Sequence, residues 1–143
     1  MPTIYHDLTI SAPISKVFEG VTNPALIDVW WTRKCQGIPK IGEEYTLDFS
    51  PECIWKAVVS ECKTDECFEL TMTDAMEDWL GSRLRFSVDA RENGTKLRFE
   101  HKGWAEVSEH FRISSYCWAV YLNVLKKHLE TGVVIPYEER HSA

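Results

Sequence analysis

The chain has 143 residues, the length of one ordinary domain, with 44% hydrophobic and 27% charged residues, a balance that excludes a disordered, collagenous or coiled-coil chain. Sixteen Lys+Arg against 22 Asp+Glu leave a net charge of -6, which repels a polyphosphate backbone and argues against nucleic acid as a partner. The five cysteines, Cys35, Cys53, Cys62, Cys67 and Cys117, are odd in number and hold no C-x-x-C pair, so neither a disulfide framework nor a zinc knuckle is expected.

No apolar stretch reaches the ~18 residues that a membrane span needs. The N-terminus lacks the basic-then-apolar order of a secretory signal, so a cytoplasmic location is expected. Repeats, low-complexity tracts and Gly/Ser linkers are missing, and residues 1–143 read as one continuous domain. Ile4, His6, Leu8 and Ile10 alternate with polar neighbours and predict a half-buried first strand. Pro13 opens a short helix that turns Val17 and Phe18 inward, with Gly20 as its stop. Asn23-Pro24 starts a second short helix that runs to about Trp30.

From Gly42 to Trp104 the pattern is an antiparallel meander, beginning with the alternation of Tyr45, Leu47 and Phe49. Taking Lys63 to Glu66 as a four-residue loop pairs Val59 with Leu70 and Ala57 with Met72. That register leaves Glu61 as an inward misfit beside Phe68 and sets Cys62 opposite Cys67 on the wet face, as free thiols. Asn93-Gly94 is a two-residue type I′ hairpin signal, which pairs Glu92 with Thr95, Val88 with Phe99 and Phe86 with His101. Each hairpin then has one dry face and one charged face, the latter gathering Arg83, Arg85, Arg98 and Lys102 around Glu100. The dry face needs a cover. Phe111, Ser115, Trp118, Leu122, Leu125 and Leu129 recur at helical spacing and predict one long helix from Ser108 to about Glu130, stopped by Gly132. Residues 135–143 are polar and are expected to fray.

Strand, two short helices, meander and closing helix is the order of an α+β helix-grip fold, with about six or seven strands in a curved sheet. The stretch Ile10-Ser11-Ala12-Pro13-Ile14-Ser15-Lys16-Val17-Phe18-Glu19, the triplet Trp30-Trp31-Thr32, the run Leu97-Arg98-Phe99-Glu100-His101-Lys102-Gly103-Trp104 and the segment Trp118 to Gly132 carry a resemblance. In these the chain resembles the START-like (SRPBCC, birch-pollen-allergen-like) superfamily, in the branch of proteins similar to the activator of heat-shock protein 90 ATPase. The resemblance covers nearly the whole chain and implies a pocket between sheet and C-terminal helix that holds apolar or amphipathic ligands.

The residues expected to line such a pocket are His6, Trp30, Trp31, Trp79, Phe86, His101, Tyr116 and Trp118. His6 and His101 lie on strand faces that point inward, and with the first strand beside the last they are expected to be neighbours. Two imidazoles on a pocket wall suit proton transfer or a polar head group, though each is equally readable as a core histidine satisfied by a local partner. The six tryptophans either line a pocket or fill the core. Trp79, in the polar connection from Asp74 to Ser82, reads as a lid residue. Trp30 and Trp31 cannot share one helix face, so one of them belongs at a pocket mouth or interface. Tyr116, His6 or His101 would fix the ligand's polar end.

Glu61, Asp74, Glu77 and Asp78 are the carboxylates expected near the rim, but no catalytic residue, metal site or cofactor is assigned. There is no Ser-His-Asp order, nucleophile elbow, Walker loop or dinucleotide-binding fingerprint. The expected function is binding of a small apolar or amphipathic molecule. A chaperone-contacting interaction module is the alternative, and a cyclase- or dehydratase-like enzyme the third reading.

Overall fold

The computed structural model describes residues 1–142. β1 (Thr3–Ile10) leads through two short helices, α1 (Ile14–Thr22) and α2 (Pro24–Trp30), into β2 (Lys34–Gln36), β3 (Glu44–Ser50), β4 (Cys53–Lys63), β5 (Cys67–Asp74), β6 (Arg83–Arg91) and β7 (Gly94–Lys102). The long helix α3 (Glu109–Thr131) and a 3-10 turn at Tyr137–Ser142 complete the chain. The strands form one seven-stranded antiparallel sheet in the order β1-β7-β6-β5-β4-β3-β2, the helix-grip architecture.

Local chemistry starts each helix. Asn23 caps α2 by accepting from the Ala25 amide, with Pro24 in the first turn where a missing N–H costs nothing. Ser108 caps α3 through the Phe111 amide, and Gly132 ends it in the left-handed conformation at φ 78°. Gly20 is not a helix stop: α1 continues to Thr22, and the missing side chain lets α3 approach, since a Cβ there would meet Leu125 at 3.2 Å. Trp118, Leu122 and Leu125 of α3 press on the inner face of the sheet, where Tyr45, Leu47, Phe68, Leu70, Phe86, Leu97 and Phe99 are buried.

Both hairpins depart from the expected register, each for a local reason. In the β6–β7 hairpin Arg91 pairs with Gly94, Phe86 with Phe99 and Leu84 with His101, a shift of two residues. Neither Glu92 nor Asn93 has a positive φ, so the turn is not type I′. Gly94 is instead the first residue of β7, with φ 153°, and a Cβ there would collide with the Ile10 carbonyl oxygen of β1. The glycine serves strand packing rather than the turn. In the β4–β5 hairpin Ala57–Met72 and Val59–Leu70 pair as expected, but an irregularity at Ser60 pairs Glu61 with Glu69 and Lys63 with Cys67. Glu61 is thereby turned out of the core, and Cys62, opposite Phe68, no longer faces Cys67; both thiols are free.

The outer face that receives Glu61 is a connected ion-pair network. Glu69, only 6% exposed, accepts from Ser60 at 2.9 Å and meets Arg85 at 3.4 Å and Lys102 at 3.8 Å. Arg85 reaches Glu61 at 2.6 Å, and that hydrogen bond holds the Glu61 carboxyl below the usual carboxylate range. The basic residues of this face are therefore largely neutralised in place.

The C-terminal segment is docked, not frayed. Arg140 is only 4% exposed and donates to the carbonyl oxygens of Asp28, Thr32 and Ile135, with its guanidinium over the Tyr137 ring at 5.2 Å. Tyr137 donates to the Phe49 carbonyl at 3.1 Å, and His141 meets the Tyr121 hydroxyl at 3.1 Å. Ala143, the last residue of the expected tail, lies outside the described residues.

Gly94→Ala is expected to cost about 1–3 kcal/mol in urea unfolding, because strand β1 blocks the new methyl and the backbone conformation disfavours any side chain. Asn93→Ala, in the exposed turn, should cost well under half as much. Equal losses would contradict this placement of Gly94.

Candidate functional site

The next-to-last residue of β7, His101, is completely buried among indole rings. The Ser82 hydroxyl donates its single proton to the Trp79 carbonyl, so it must accept from His101 Nε2–H at 2.8 Å. His101 Nδ1 in turn accepts from Trp118 Nε1 at 3.1 Å. Both ring nitrogens are satisfied in the neutral form alone, and burial pushes the pKa down to about 3, with the nearby His110 adding to the effect. Trp79 donates from Nε1 to the Ser114 hydroxyl at 3.2 Å. A polar chain thus runs from the 75–82 loop through the sheet to α3, and it sets the indoles of Trp79 and Trp118 nearly parallel, 5.9 Å apart.

Beside these two indoles lies a cleft of about 230 Å³. Its inner wall is Trp31, Trp79 and Trp118; Phe49 and Trp55 come from the β3–β4 hairpin. Ile113, Cys117 and Tyr121 of α3 face them, and Tyr137 of the docked C-terminal turn closes one side. The walls are mutually braced: Trp31 packs on Trp118 and Trp55 on Trp79, each at 4.9 Å between ring centres. Burial raises the pKa of Cys53 and Cys117 and pushes the Tyr121 phenol up to about 12, so these groups are neutral lining and not nucleophiles. At one end, His110 Nδ1 and Asp78 Oδ2 are 2.7 Å apart.

Of the residues expected from sequence, Trp31, Trp79 and Trp118 line this cleft. Trp30 and Phe86 are core residues in edge-to-face contact, and Trp30 Nε1 donates to the Gly20 carbonyl at 2.9 Å. Trp30 and Trp31 are both buried, because Trp31 sits just past the last residue of α2 with φ -123° and ψ -72° and escapes the helix face. Trp79 is not an exposed lid: it is 6% exposed, wedged between His101 and Trp118. His101 stands behind the indoles and does not line the cleft. His6 is separate from it, paired with Phe99 and held by the Ser115 carbonyl at 3.0 Å, so the two imidazoles have different partners. Tyr116 is 63% exposed on the outer side of α3 and lies away from the cleft. Among the expected rim carboxylates, Asp78 reaches the cleft through His110, Glu61 lies on the opposite face of the sheet, and Asp74 and Glu77 are exposed.

His110, Ile113, Cys117 and Tyr121 were not anticipated. Their signal was present, since residues 110, 113, 117 and 121 repeat at helical spacing one or two positions before the stripe 111, 115, 118 and 122. Phe49, Trp55 and Tyr137 depend on how the hairpin and the C-terminal turn converge, which no local pattern records. Among the described residues no three His, Cys, Asp or Glu side chains are grouped to hold a metal ion.

The neutral His101 makes stability fall with acid. Above the ordinary imidazole pKa of about 6.5 neither state binds a proton at this ring. Below it the unfolded chain does and the native ring does not, so each pH unit removes about 1.4 kcal/mol until the native value near 3 is passed. His101→Gln can accept from Trp118 and donate to Ser82 without titrating. Between pH 7.5 and 4.5 the variant should lose about 2–3 kcal/mol less than the parent in urea unfolding. Equal acid losses would contradict a neutral His101.

Residues 11–130 match the family model described as activator of Hsp90 ATPase homolog 1-like protein. No curated protein matches the chain. The solution structure of the Aha1 dimer from Colwellia psychrerythraea is similar at 27% identity and TM-score 0.84, covering 92% of this chain and 98% of that one. A Mesorhizobium loti protein, at 21% identity and TM-score 0.82, covers 93% of this chain and 100% of its own. A Staphylococcus saprophyticus protein, at 19% identity and TM-score 0.80, covers 94% and 96%. These last two likenesses concern the fold. With 120 consecutive residues matched, from the residue after strand β1 to the last turn of α3, the chain belongs to the activator of Hsp90 ATPase homolog 1-like family.

Proposed function

We propose that this protein binds a small apolar or amphipathic molecule in the cleft between α3 and the β3–β4 hairpin. The observation that carries the reading is the wall of Trp31, Trp55, Trp79 and Trp118, braced by mutual packing and by the hydrogen bonds of Trp79 and Trp118, beside an open volume of about 230 Å³. Apolar surface kept at a cleft wall instead of collapsed into the core is what a ligand covers. The volume falls below the 300–1,000 Å³ usual for drug-sized ligands, so the occupant has about one or two rings. Binding rather than turnover is proposed, with Trp31, Trp79 and Trp118 as the contacts. Five free thiols fit a reducing cytoplasm, where we place the protein. No helix among the described residues is long and apolar enough to cross a membrane.

Contact with a chaperone is the second reading. It is favoured by the family's description and by the name of the Colwellia protein.

N-phenyl-1-naphthylamine, which fluoresces when shielded from water, is the probe for the first reading. Titration should give a saturable rise excited through the tryptophans. Cys117→Phe, on the α3 wall, fills the cleft and should weaken the probe about tenfold or more, equivalent to about 1.4 kcal/mol, with little change in Tm. Undiminished binding by that variant would refute the cleft as the site. Stimulation of an Hsp90 ATPase that survives Cys117→Phe would support the second reading.

A further inference from the structure

At the end of the cleft away from Tyr137, the imidazole of His110 is clamped on three sides. Asp78 takes Nδ1 at 2.7 Å, Trp79 stacks on the ring at 6.1 Å and 27°, and Trp104 meets it edge-on at 5.8 Å and 86°. An ionised carboxylate can only accept, so Nδ1 carries a proton toward Asp78, and the neutral tautomer compatible with that contact has its lone pair on Nε2. That nitrogen has no hydrogen-bond partner among the described residues. Among the other polar atoms of the cleft, Ser114 accepts from Trp79, Tyr137 donates to the Phe49 carbonyl, and Tyr121 meets His141. Cys53 and Cys117 offer weakly bonding neutral sulfur. The indole N–H groups of Trp31 and Trp55 can only donate, so the uncommitted acceptor nitrogen of the lining is His110 Nε2.

We propose that the Asp78–His110 pair anchors the polar end of the ligand, His110 Nε2 accepting a hydrogen bond from the hydroxyl of a flat phenolic or enolic molecule that lies against the cleft indoles. This deepens the reading of the cleft as the ligand site and rests on it. Flatness follows from the lining, which is dominated by the aromatic rings of Trp31, Phe49, Trp55, Trp79 and Trp118. A neutral hydroxyl, rather than a carboxylate, follows from the charge at this end, where Asp78 has Glu77 beside it in the loop and Glu109 precedes His110 in the first turn of α3. Asp78 is a positioning residue: it selects which nitrogen carries the proton.

The test compares 3-nitrophenol at about pH 7.4, where its hydroxyl keeps its proton, with its methyl ether 3-nitroanisole, which has the same flat body and no hydroxyl proton. Both quench tryptophan fluorescence, and both can displace N-phenyl-1-naphthylamine. The parent protein should bind the phenol roughly three- to tenfold more tightly than the ether, the worth of one hydrogen bond. His110→Phe keeps a stacking ring without the acceptor, and the phenol-to-ether affinity ratio should fall to about one. Asp78→Asn can donate to Nδ1, which moves the ring proton to Nε2 and should remove the same preference. No preference in the parent, or a preference that both variants keep, overturns the proposal while binding of the ether leaves the cleft reading standing. If neither compound nor the naphthylamine probe binds, the cleft reading fails and the proposal with it.

Discussion

An imidazole buried without solvent has to find two partners of opposite kind or become a source of instability, and His101 finds them in Trp118 and Ser82. The direction of every proton in that chain is forced, from Trp118 Nε1 to His101 to Ser82 to the Trp79 carbonyl. Because its members come from β7, the 75–82 loop and α3, the chain fixes how the helix sits over the sheet. The indole of Trp79 is also tied to Ser114 on α3. Satisfaction is not complete in this neighbourhood: Trp104 Nε1 is the one buried side-chain nitrogen or oxygen without a partner among the described residues. Such a group costs about 1–3 kcal/mol, so the packing of Trp104 against His101 and Phe111 has to offset it.

The cleft follows from that arrangement. Trp79 is held by its hydrogen bond to Ser114 and Trp118 by its bond to His101, and their ring surfaces are left as wall. Closure at the other end comes from the docked C-terminal turn, where Arg140 is satisfied entirely by backbone carbonyls of α2, the residue after Trp31 and its own segment. A cation fixed in this way is costly to remove from water, and burial lowers its pKa. Its five hydrogen-bond donors and the ring of Tyr137 beneath it offset that cost. Asp78 and His110 then supply polarity at the end opposite Tyr137, so the slot has an apolar body and one distinct polar terminus.

Much of this architecture was legible because strand faces survive register errors of two. The β6–β7 hairpin was read two residues out of step, and Phe86, Val88, Leu97, Phe99 and His101 still fell on the inner face. A slip of one residue is different. The irregularity at Ser60 moves Glu61 from the core side to the outer network, and nothing in the local sequence except the misfit of Glu61 itself announces it. The tryptophans were legible as a group but not individually. Trp30 and Trp31 differ only in which side of a helix end they fall, yet one is core and the other cleft wall. Tyr116 was misplaced because α3 turns it outward, and His110 was missed because its helical repeat with Ile113, Cys117 and Tyr121 runs alongside the stronger apolar stripe of α3. The docking of Arg140 rests on carbonyls more than a hundred residues earlier in the chain, which no segment pattern can encode.

The most direct test follows the indole N–H signals of all six tryptophans by 1H–15N NMR while the naphthylamine probe is added. The expected result is a selective one: Trp31, Trp55, Trp79 and Trp118 shift together and saturate, while Trp30, which stacks behind Trp31 with its N–H bound to the Gly20 carbonyl and does not line the cleft, shifts far less. Saturating fluorescence with no indole moved, or Trp30 moving as much as Trp79, would contradict a guest held between these rings.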